Sequence, residues 1–266
     1  MTSKKKTPSV IFMGRKDGAL RALEFLIDKK VDIRCIVNPT NDESSRAMRS
    51  FAKKHGIRFF SDDAPLYALV KRNSALVRDV DLVISYLYSK RIRQPLIDLG
   101  KRGCINYHPA PLPDYKSRAG YNTAILGGRK KYGVSVHFID SEQFDNGPII
   151  EVSRFPIEKK ELAYTLEKKA QEKLLALFKK TVLRVLSGFP IRTKKNKGGL
   201  YLTGKQLEAM KEVGKNERPE MIDRKIRAFF FPPYSGATMT IHGKKYTLIN
   251  EDILAFLSNL RSSKQK

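Results

Sequence analysis

The chain has 266 residues, with 52 lysines and arginines against 27 aspartates and glutamates, so its formal net charge at pH 7 is +25. Hydrophobic residues make up 41% of the sequence, which supports a sizeable core and excludes a disordered chain. The two cysteines argue against a disulfide framework or a zinc site, and no apolar run approaches the roughly 18 residues of a membrane span, so a cytoplasmic protein is expected.

Short apolar runs alternate with amphipathic helical stretches along the first part of the chain, which is typical of βαβ units and a mostly parallel, doubly wound α/β sheet. Asn41 or Asp42 is a candidate N-cap for the second helix. Pro95 is suited to the first turn of a short helix that reaches Leu99. The predicted strands are 9–13, 33–37, 57–60, 82–86 and 104–107, and the predicted helices are 18–29 and 43–55.

The second part of the chain continues this pattern and then changes in amino-acid composition. A helix over 121–126 and strands over 133–138 and 148–155 are followed by the longest helical pattern, 162–186. Beyond Gly188 the chain becomes basic and polar, with a helix predicted over 207–213. Strands predicted over 238–241 and 245–249 bracket a His-Gly turn, which indicates a β-hairpin. We therefore expect a catalytic domain, residues 1–188, and a small C-terminal domain, residues 189–266.

The segment INYHPAPLPDY, residues 105–115, carries the clearest chemical signal. Because side chains alternate along a strand, Asn106 and His108 project on the same face. The carboxyl edge of a parallel sheet is where open α/β domains build their active sites, and the prolines that follow His108 end the strand. An Asn and a His in such a place are still more often structural than catalytic, so a second segment is needed to decide.

The segment VHFIDSEQFDNGPII, residues 136–150, supplies that second signal. Asp145 precedes the turn sequence NGP, which can hold a carboxylate at the edge of the same sheet. A carboxylate beside His108 can fix the imidazole tautomer and favour its charged form, while the Asn106 amide can donate to a developing oxyanion. This set is suited to acyl transfer. His137 in the same segment is interpreted as a strand residue at the rim of the site and not as a base.

The two motifs resemble those of the 10-formyltetrahydrofolate-dependent formyltransferases. The core of that family is an Asn-x-His strand end with a Pro-rich loop, followed by a strand and an Asp-x-Gly turn, here matched by Asn106, His108 and Asp145. The resemblance spans residues 10–157. It resumes at KIRAFFFPPYSGA, residues 225–237, which is similar to the start of the small C-terminal domain of methionyl-tRNA and sugar N-formyltransferases. It implies a Rossmann-like domain and an enzyme that requires no metal.

The resemblance also implies a mechanism in which a neutral amine of the acceptor attacks the formyl carbon of 10-formyltetrahydrofolate. Asn106 and His108 would stabilise the resulting oxyanion, and His108 would collect the proton of the amine. Asp145 would orient His108. The pterin would lie against the loop SYLYSKRI, although the two tyrosines of this loop could equally be packing residues. The implied cofactor-binding residues are Ser85, Tyr86, Leu87, Tyr88, Arg91, Ile92 and Asp140.

Three acceptors occur among these relatives, and the sequence favours a nucleotide-linked 4-amino sugar. Glycinamide ribonucleotide formyltransferases typically carry a Gly-Ser-Asn loop where this chain has MGRKDG, and they lack a C-terminal domain. Methionyl-tRNA formyltransferases are longer, with a larger C-terminal β-barrel. Cations would bind the diphosphate, and one of two aromatic residues, Phe230 or Tyr234, would stack on the base unless it only packs the domains together. The implied acceptor-binding residues are Arg15, Lys16, Tyr115, Lys116, Arg118, Tyr121, Asn122, Phe230 and Tyr234.

The positive charge predicts an anionic partner without identifying it. Folate and a nucleotide-linked amino sugar of the kind used in O-antigen biosynthesis are the favoured partners, and initiator methionyl-tRNA is the alternative. A basic nucleic-acid-binding protein without catalysis is the alternative of another class, and the complete Asn, His and Asp set argues against it. The sequence leaves a homodimer open, and it does not explain the size of the charge.

Overall fold

A seven-stranded sheet forms the centre of the computed structural model, which describes residues 6–118 and 120–263. Two further pairs of strands lie outside this sheet. The strands are β1 (Ser9–Gly14), β2 (Asp32–Val37), β3 (Arg58–Phe60), β4 (Leu82–Tyr86), β5 (Cys104–His108), β6 (Tyr115–Ser117), β7 (Lys131–Phe138), β8 (Ile149–Pro156), β9 (Leu200–Leu202), β10 (Thr238–Ile241) and β11 (Lys244–Thr247).

The order of strands in the large sheet is β3-β2-β1-β4-β5-β7-β8. The first five strands are parallel, whereas β7 and β8 run antiparallel to their neighbours. The chain returns from the sheet edge at β3 to place β4 beside β1, so the strand order reverses there. Such a reversal opens a crevice at the carboxyl ends of the strands, where ligands bind in open α/β sheets. The expected doubly wound, mostly parallel sheet is confirmed.

Helices cover both faces of the sheet. On one face α1, α2 and α5 pack over the larger apolar cluster, and on the other face α3 packs over a second cluster that contains both cysteines, Cys35 and Cys104, as buried free thiols. The helices are α1 (Asp17–Asp28), α2 (Glu43–Lys54), α3 (Ala64–Lys71), α4 (Gly120–Leu126), α5 (Ala163–Leu186), α6 (Gly204–Ala209), α7 (Pro219–Phe229) and α8 (Glu251–Ser263).

Helix α5 supplies the centre of the larger cluster. Its buried residues Leu174, Phe178 and Val182 recur every four positions, which lines one helix face with apolar side chains. The fully buried Phe178 ring contacts aromatic rings from β1, α1, β4 and β5. The helix ends before Gly188, whose φ of +79° suits the turn that follows a helix.

Most predicted elements agree with the structure to within one or two residues, and Asp42 caps α2 by accepting from Ser45 N–H at 3.0 Å. The short helix predicted after Pro95 is wrong. Residues 94–98 form turns, because a helix of one turn leaves most of its backbone groups unpaired. The helix predicted over 207–213 begins earlier and is α6, because Thr203 and Gln206 form a capping box. Helices α3, α7 and α8 were not predicted.

Residues beyond Gly188 pack against the preceding part of the chain at several points. Lys194 bridges to Ile149 at the start of β8, β9 pairs in parallel with β6, and α7 packs against α4. The chain then forms a third apolar cluster and the predicted hairpin of β10 and β11. The division of the chain at residue 188 stays a prediction. Among the described residues, no helix combines the length and apolar character needed to cross a membrane.

The packing of Phe178 predicts a large loss of stability when its ring is removed. We expect Phe178→Ala to lower the free energy of unfolding by about 3–5 kcal/mol, since the four aromatic neighbours cannot close the cavity. Urea denaturation at neutral pH measures this loss. Lys173→Ala, on the exposed face of the same helix, is the matched control and should change stability by less than about 0.5 kcal/mol. Equal effects of the two substitutions would contradict the assignment of Phe178 to the core.

Candidate active site

A row of polar side chains crosses three neighbouring strands of the sheet. Ser85 on β4 is paired with Asn106 on β5, and Asn106 is paired with His137 on β7. Since paired residues point to the same face, these three side chains stand side by side. The Ser85 hydroxyl donates to Asn106 Oδ1 at 2.7 Å. His108 follows on the same face at the end of β5, as the alternation of the strand predicts.

Asp145 brings a carboxylate to this row from the loop between β7 and β8. Its Oδ1 lies 3.3 Å from His108 Nδ1, 3.4 Å from His137 Nε2 and 3.1 Å from Asn106 Nδ2. Its Oδ2 accepts a hydrogen bond of 2.8 Å from Ser117 N–H on β6. The side chain is only 8% exposed, so the carboxylate is almost enclosed. We refer to Asn106, His108, His137 and Asp145 as the polar cluster.

Burial and charge set the protonation of the cluster. Burial acts to raise the pKa of the Asp145 carboxyl, but attraction to His108 and a hydrogen bond from Ser117 N–H bring that pKa down to about 2. Burial lowers the pKa of the His108 imidazole, against the pull of Asp145 and of the Tyr115 carbonyl oxygen, which lies 3.0 Å from Nε2. Asp145 is thus ionised at neutral pH, and His108 is a weaker base than free imidazole.

The Asn106 amide is already engaged in the structure. Its two N–H groups point at Asp145 Oδ1 and at His137 Nε2, each at 3.1 Å. The sequence predicts that this amide donates a hydrogen bond to a developing oxyanion. The difference arises because a buried carboxylate must be satisfied by nearby donors. An oxyanion in the site would have to replace one of these two acceptors.

His137 belongs to the cluster and was missed as a site residue. It is 1% exposed, and its Nδ1 lies 2.7 Å from the Phe138 carbonyl oxygen, so Nε2 is the nitrogen left to accept from Asn106. The strand pattern placed its side chain on one face but did not give its neighbours. Those depend on the register between β5 and β7, which a single sequence does not reveal.

A cavity of about 680 Å³ opens at this edge of the sheet, and Asn106, His108, His137 and Asp145 line it. Ligand pockets for small molecules commonly span roughly 300–1,000 Å³. Most of the predicted cofactor-binding residues are part of its wall. These are Ser85, Leu87, Tyr88, Arg91 and Ile92.

Two predicted cofactor-binding side chains lie elsewhere. Tyr86 follows Ser85 on β4 and therefore points to the opposite face, where its ring is fully buried beside Phe12 with centroids 6.3 Å apart. Asp140 is exposed and borders a smaller surface groove together with Cys104. Neither side chain contributes to the wall of the main cavity. Tyr86 takes the packing role that the sequence left open, and cofactor binding by Asp140 stays a prediction.

Three of the predicted acceptor-binding residues line the cavity. Arg15 lies at the β1–α1 turn, where its Nε–H donates to the Leu87 carbonyl oxygen at 2.7 Å. Arg118 is exposed in the loop after β6. Tyr234 is 72% exposed and stands at the rim. These three residues contribute two guanidinium groups and one exposed aromatic ring to the cavity.

Two predicted phosphate-binding lysines are occupied by other contacts. Lys16 forms an ion pair with Glu167 on α5. Lys116 donates to the Asn146 side-chain oxygen at 2.9 Å. Neither lines the main cavity, because each cation satisfies a neighbouring oxygen instead.

The remaining predicted acceptor-binding residues have structural contacts. Tyr115 and Tyr121 pack on the ring of Tyr132, with centroids 6.1 and 5.3 Å away. Asn122 donates to a backbone carbonyl of α7 at 2.6 Å and so attaches that helix to α4. Phe230 is 8% exposed within the third apolar cluster, which agrees with its role as a packing residue.

The cavity also contains residues that the sequence interpretation left out. Phe144 precedes Asp145, and the Arg91 guanidinium lies over its ring, 5.1 Å from the centroid. Tyr201, Leu202 and the first residues of α6 reach the cavity from beyond the predicted domain boundary. The composition near Tyr201 is typical of an exposed linker, so only the pairing of β9 with β6 reveals its position.

A doubly wound sheet that carries a buried His–Asp pair and an Asn amide at its carboxyl edge is suited to an enzyme of acyl transfer. Residues 37–182 match the formyl transferase family, which is more than half of the sequence. The chain belongs to the formyl transferase family. The resemblance stated from the motifs is thereby confirmed.

Two curated relatives cover most of the chain. The GDP-perosamine N-formyltransferase of Brucella melitensis is 28% identical over 230 residues, which is 86% of this chain and 87% of that protein. The methionyl-tRNA formyltransferase of Wolbachia pipientis is 24% identical over 255 residues, which is 94% of this chain and 82% of that protein.

Solved structures share the fold. A 4-N formyltransferase from Francisella tularensis has a TM-score of 0.75 and 18% identity, and the match covers 92% of this chain and 97% of that one. The N-formyltransferase from Helicobacter canadensis, in complex with folinic acid and dTDP-3-aminofucose, has a TM-score of 0.70 and 20% identity, with 90% and 86% covered. At these identities the likeness establishes the architecture.

The environment of Asp145 predicts a pH-dependent contribution to stability. Its pKa of about 2 lies below the ordinary value of 3.8, so the unfolded chain binds the proton more tightly. The contribution is complete above about pH 4 and is lost as the pH falls towards 2, and its size is about 2 kcal/mol. Urea denaturation of the wild type and of Asp145→Asn between pH 2 and about 6 should show a difference that shrinks below about pH 4.

The control for this measurement is Phe178→Ala, whose cost involves no proton and should not depend on pH. A constant difference between the wild type and Asp145→Asn across the same range would show that the carboxylate is not stabilised by the polar cluster.

Proposed function

We propose that this protein transfers the formyl group of 10-formyltetrahydrofolate to the amino group of a nucleotide-linked amino sugar. The observation that carries the proposal is the buried polar cluster in the wall of the main cavity. Asn106, His108 and Asp145 are the catalytic residues, and His137 supports them. Membership of the formyl transferase family and the match to a GDP-perosamine N-formyltransferase support the same reaction.

His108 takes the proton that the acceptor amine loses as its nitrogen bonds to the formyl carbon. His108 would then return this proton to the folate nitrogen that leaves when its bond to the formyl carbon breaks. Its lowered pKa leaves the imidazole neutral at working pH, which a proton acceptor requires. Asp145 stabilises the imidazolium that results, because an ionised carboxylate 3.3 Å from Nδ1 favours the charged ring. The Asn106 amide stabilises negative charge on the formyl oxygen by exchanging one of its present acceptors for that oxygen.

The wall of the cavity beside the loop that follows β4 would hold the folate. Leu87, Ile92 and Ile139 give this wall apolar surface, and Tyr88 adds an aromatic ring. Such a wall with a few polar groups suits the flat, partly polar pterin ring. The bound cofactor supplies an activated formyl group. Folinic acid in the Helicobacter canadensis enzyme, which shares the fold, supports this assignment.

The acceptor binds on the side of the cavity that carries Arg15, Arg118 and Tyr234. The two guanidinium groups suit a diphosphate, and the exposed ring of Tyr234 suits a nucleobase. The described part of the chain beyond Gly188 consists of short strands and helices. The match of 86% of the chain to a GDP-perosamine N-formyltransferase favours a nucleotide sugar over tRNA as the acceptor.

Initiator methionyl-tRNA is the second candidate acceptor. The net charge of +25 exceeds what two small anionic ligands require, and a methionyl-tRNA formyltransferase aligns with 94% of the chain. An RNA acceptor would make many phosphate contacts, so its binding would weaken steeply as salt rises.

A ligand panel distinguishes the two acceptors. We expect GDP, dTDP or UDP, each with folinic acid, to raise the melting temperature, because a ligand at about 100 times its Kd stabilises the folded state by about 2.7 kcal/mol. Arg118→Ala should reduce the shift caused by the nucleotide and leave the shift caused by folinic acid unchanged. Stabilisation by tRNA alone, with a steep dependence on salt, would instead support the second candidate.

Loss of His108 should abolish most of the transfer. We expect His108→Asn to lower kcat at least about 100-fold while the protein stays folded, since the proton acceptor is removed. The assay follows formyl transfer to the amino sugar of the nucleotide that binds best in the panel. His242→Asn, in the exposed turn of the hairpin, is the matched control and should retain full activity. Unchanged turnover of a folded His108→Asn variant would rule out the proposed mechanism.

A further inference from the structure

Residues 194–202, which we call the linker segment, reach the polar cluster from outside the region that matches the formyl transferase family, which ends at residue 182. At its start, Lys194 and Ile149 exchange two backbone hydrogen bonds of 2.8 and 2.9 Å. At its end, β9 pairs with β6. Both anchors adjoin the cluster, because Ile149 follows the Asp145 loop and β6 supplies the Ser117 N–H that binds the carboxylate.

Asn196 lies between these anchors and is 8% exposed. Its Nδ2 donates to the carbonyl oxygens of Asp145 and Gly147, each at 2.9 Å. Carbonyl oxygens only accept hydrogen bonds, so the Asn196 amide binds these two oxygens through its Nδ2 group, which faces the Asp145 loop. Its Oδ1 is buried and has no hydrogen-bond partner in the part of the chain that the structure describes. Burying an amide oxygen without a hydrogen-bond partner costs free energy. The two hydrogen bonds made by Nδ2 offset this cost.

The loop that Asn196 binds is held in a constrained conformation. Asp145 has φ of +51°, a left-handed backbone that costs a residue with a side chain roughly 1–2 kcal/mol. Gly147 has no room for a side chain, because a Cβ there would lie 2.0 Å from the Phe138 carbonyl oxygen. The backbone conformation of Asp145 sets the direction of its carboxylate, and the two bonds from Asn196 restrain that backbone.

A glycine allows the linker segment to lie this close to the cluster. Gly199 has φ of +90°, and a Cβ at this position would lie 1.7 Å from the Pro113 carbonyl oxygen. The next residue, Leu200, donates its N–H to the Asp114 carbonyl oxygen at 2.9 Å. The segment is therefore fitted against the Pro-rich loop that follows His108, and it is not a free connection between domains.

We propose that Asn196 is a positioning residue that holds the Asp145 loop so that the carboxylate stays on His108. The catalytic unit then extends to residue 202, past the boundary predicted from the sequence. This inference rests on the proposed function for its kinetic test, but the geometry that it describes can be tested without substrate.

The kinetic test compares two substitutions of Asn196 with a substitution of its exposed neighbour, Lys195. Asn196→Ala removes both hydrogen bonds, and Asn196→Asp keeps the shape but turns a carboxylate oxygen towards two carbonyl oxygens. We expect each to lower kcat about 100-fold, as a displaced catalytic group does, and to leave KM for folate and acceptor within about twofold. Lys195→Ala changes the residue immediately before Asn196 and should retain wild-type kcat.

The second test measures the His108 imidazole directly by NMR titration. Asp145 acts to raise the pKa of His108, whereas burial and His137 act to lower it. We therefore expect the pKa of His108 in Asn196→Ala to fall below that in the wild type. A merely structural role would lower the melting temperature and leave this pKa unchanged. If Asn196→Ala does not fold, Asn196→Ser, which retains one donor, replaces it in both measurements.

The outcomes separate this inference from the proposed function. An active wild type with unchanged kcat and unchanged His108 titration in the Asn196 variants would overturn the positioning role alone. An inactive wild type with every acceptor would overturn the proposed function, and the titration would still decide whether Asn196 positions Asp145.

Discussion

The active site depends on the cost of burying one carboxylate. A charge removed from water is tolerated only where donors and opposite charges surround it. Asp145 meets this requirement with contacts from three strands, through Asn106, His108 and His137 of the large sheet and the backbone of β6. Each of these groups is fixed by its own strand, so the carboxylate is oriented before any ligand binds.

The large sheet supplies this arrangement through its register. Pairing of β4, β5 and β7 sets polar residues in one row, which begins next to the reversal of strand order between β1 and β4. Helix α5 fills the apolar face behind them. The polar cluster is thus built mainly on strands of the sheet, and loops supply other residues of the cavity wall. Preorganised donors of this kind need little rearrangement during a reaction.

Local patterns in the sequence predict the parallel half of the sheet and the shared face of Asn106 and His108, because alternation along a strand is visible in one chain. The same alternation places Tyr86 in the core, which is the packing role that the sequence left open for it. His137 could not be assigned, since its neighbours depend on the pairing of distant strands. The contact made by Asn196 could not be predicted for a related reason. It lies among lysines typical of an exposed linker, and the Asp145 carbonyl that it binds is 51 residues away.

The short sheet of β6 and β9 makes the site less stable against local unfolding than the seven-stranded sheet. Each of its strands has three residues, whereas the large sheet is buried between two layers of helices. Such a small element opens locally at a lower free energy than the whole domain, and its opening releases Ser117 N–H and the linker segment together. Amides of β6 and β9 would then exchange with solvent faster than those of β4 and β5. Heat or denaturant could disable the enzyme while its core remained folded.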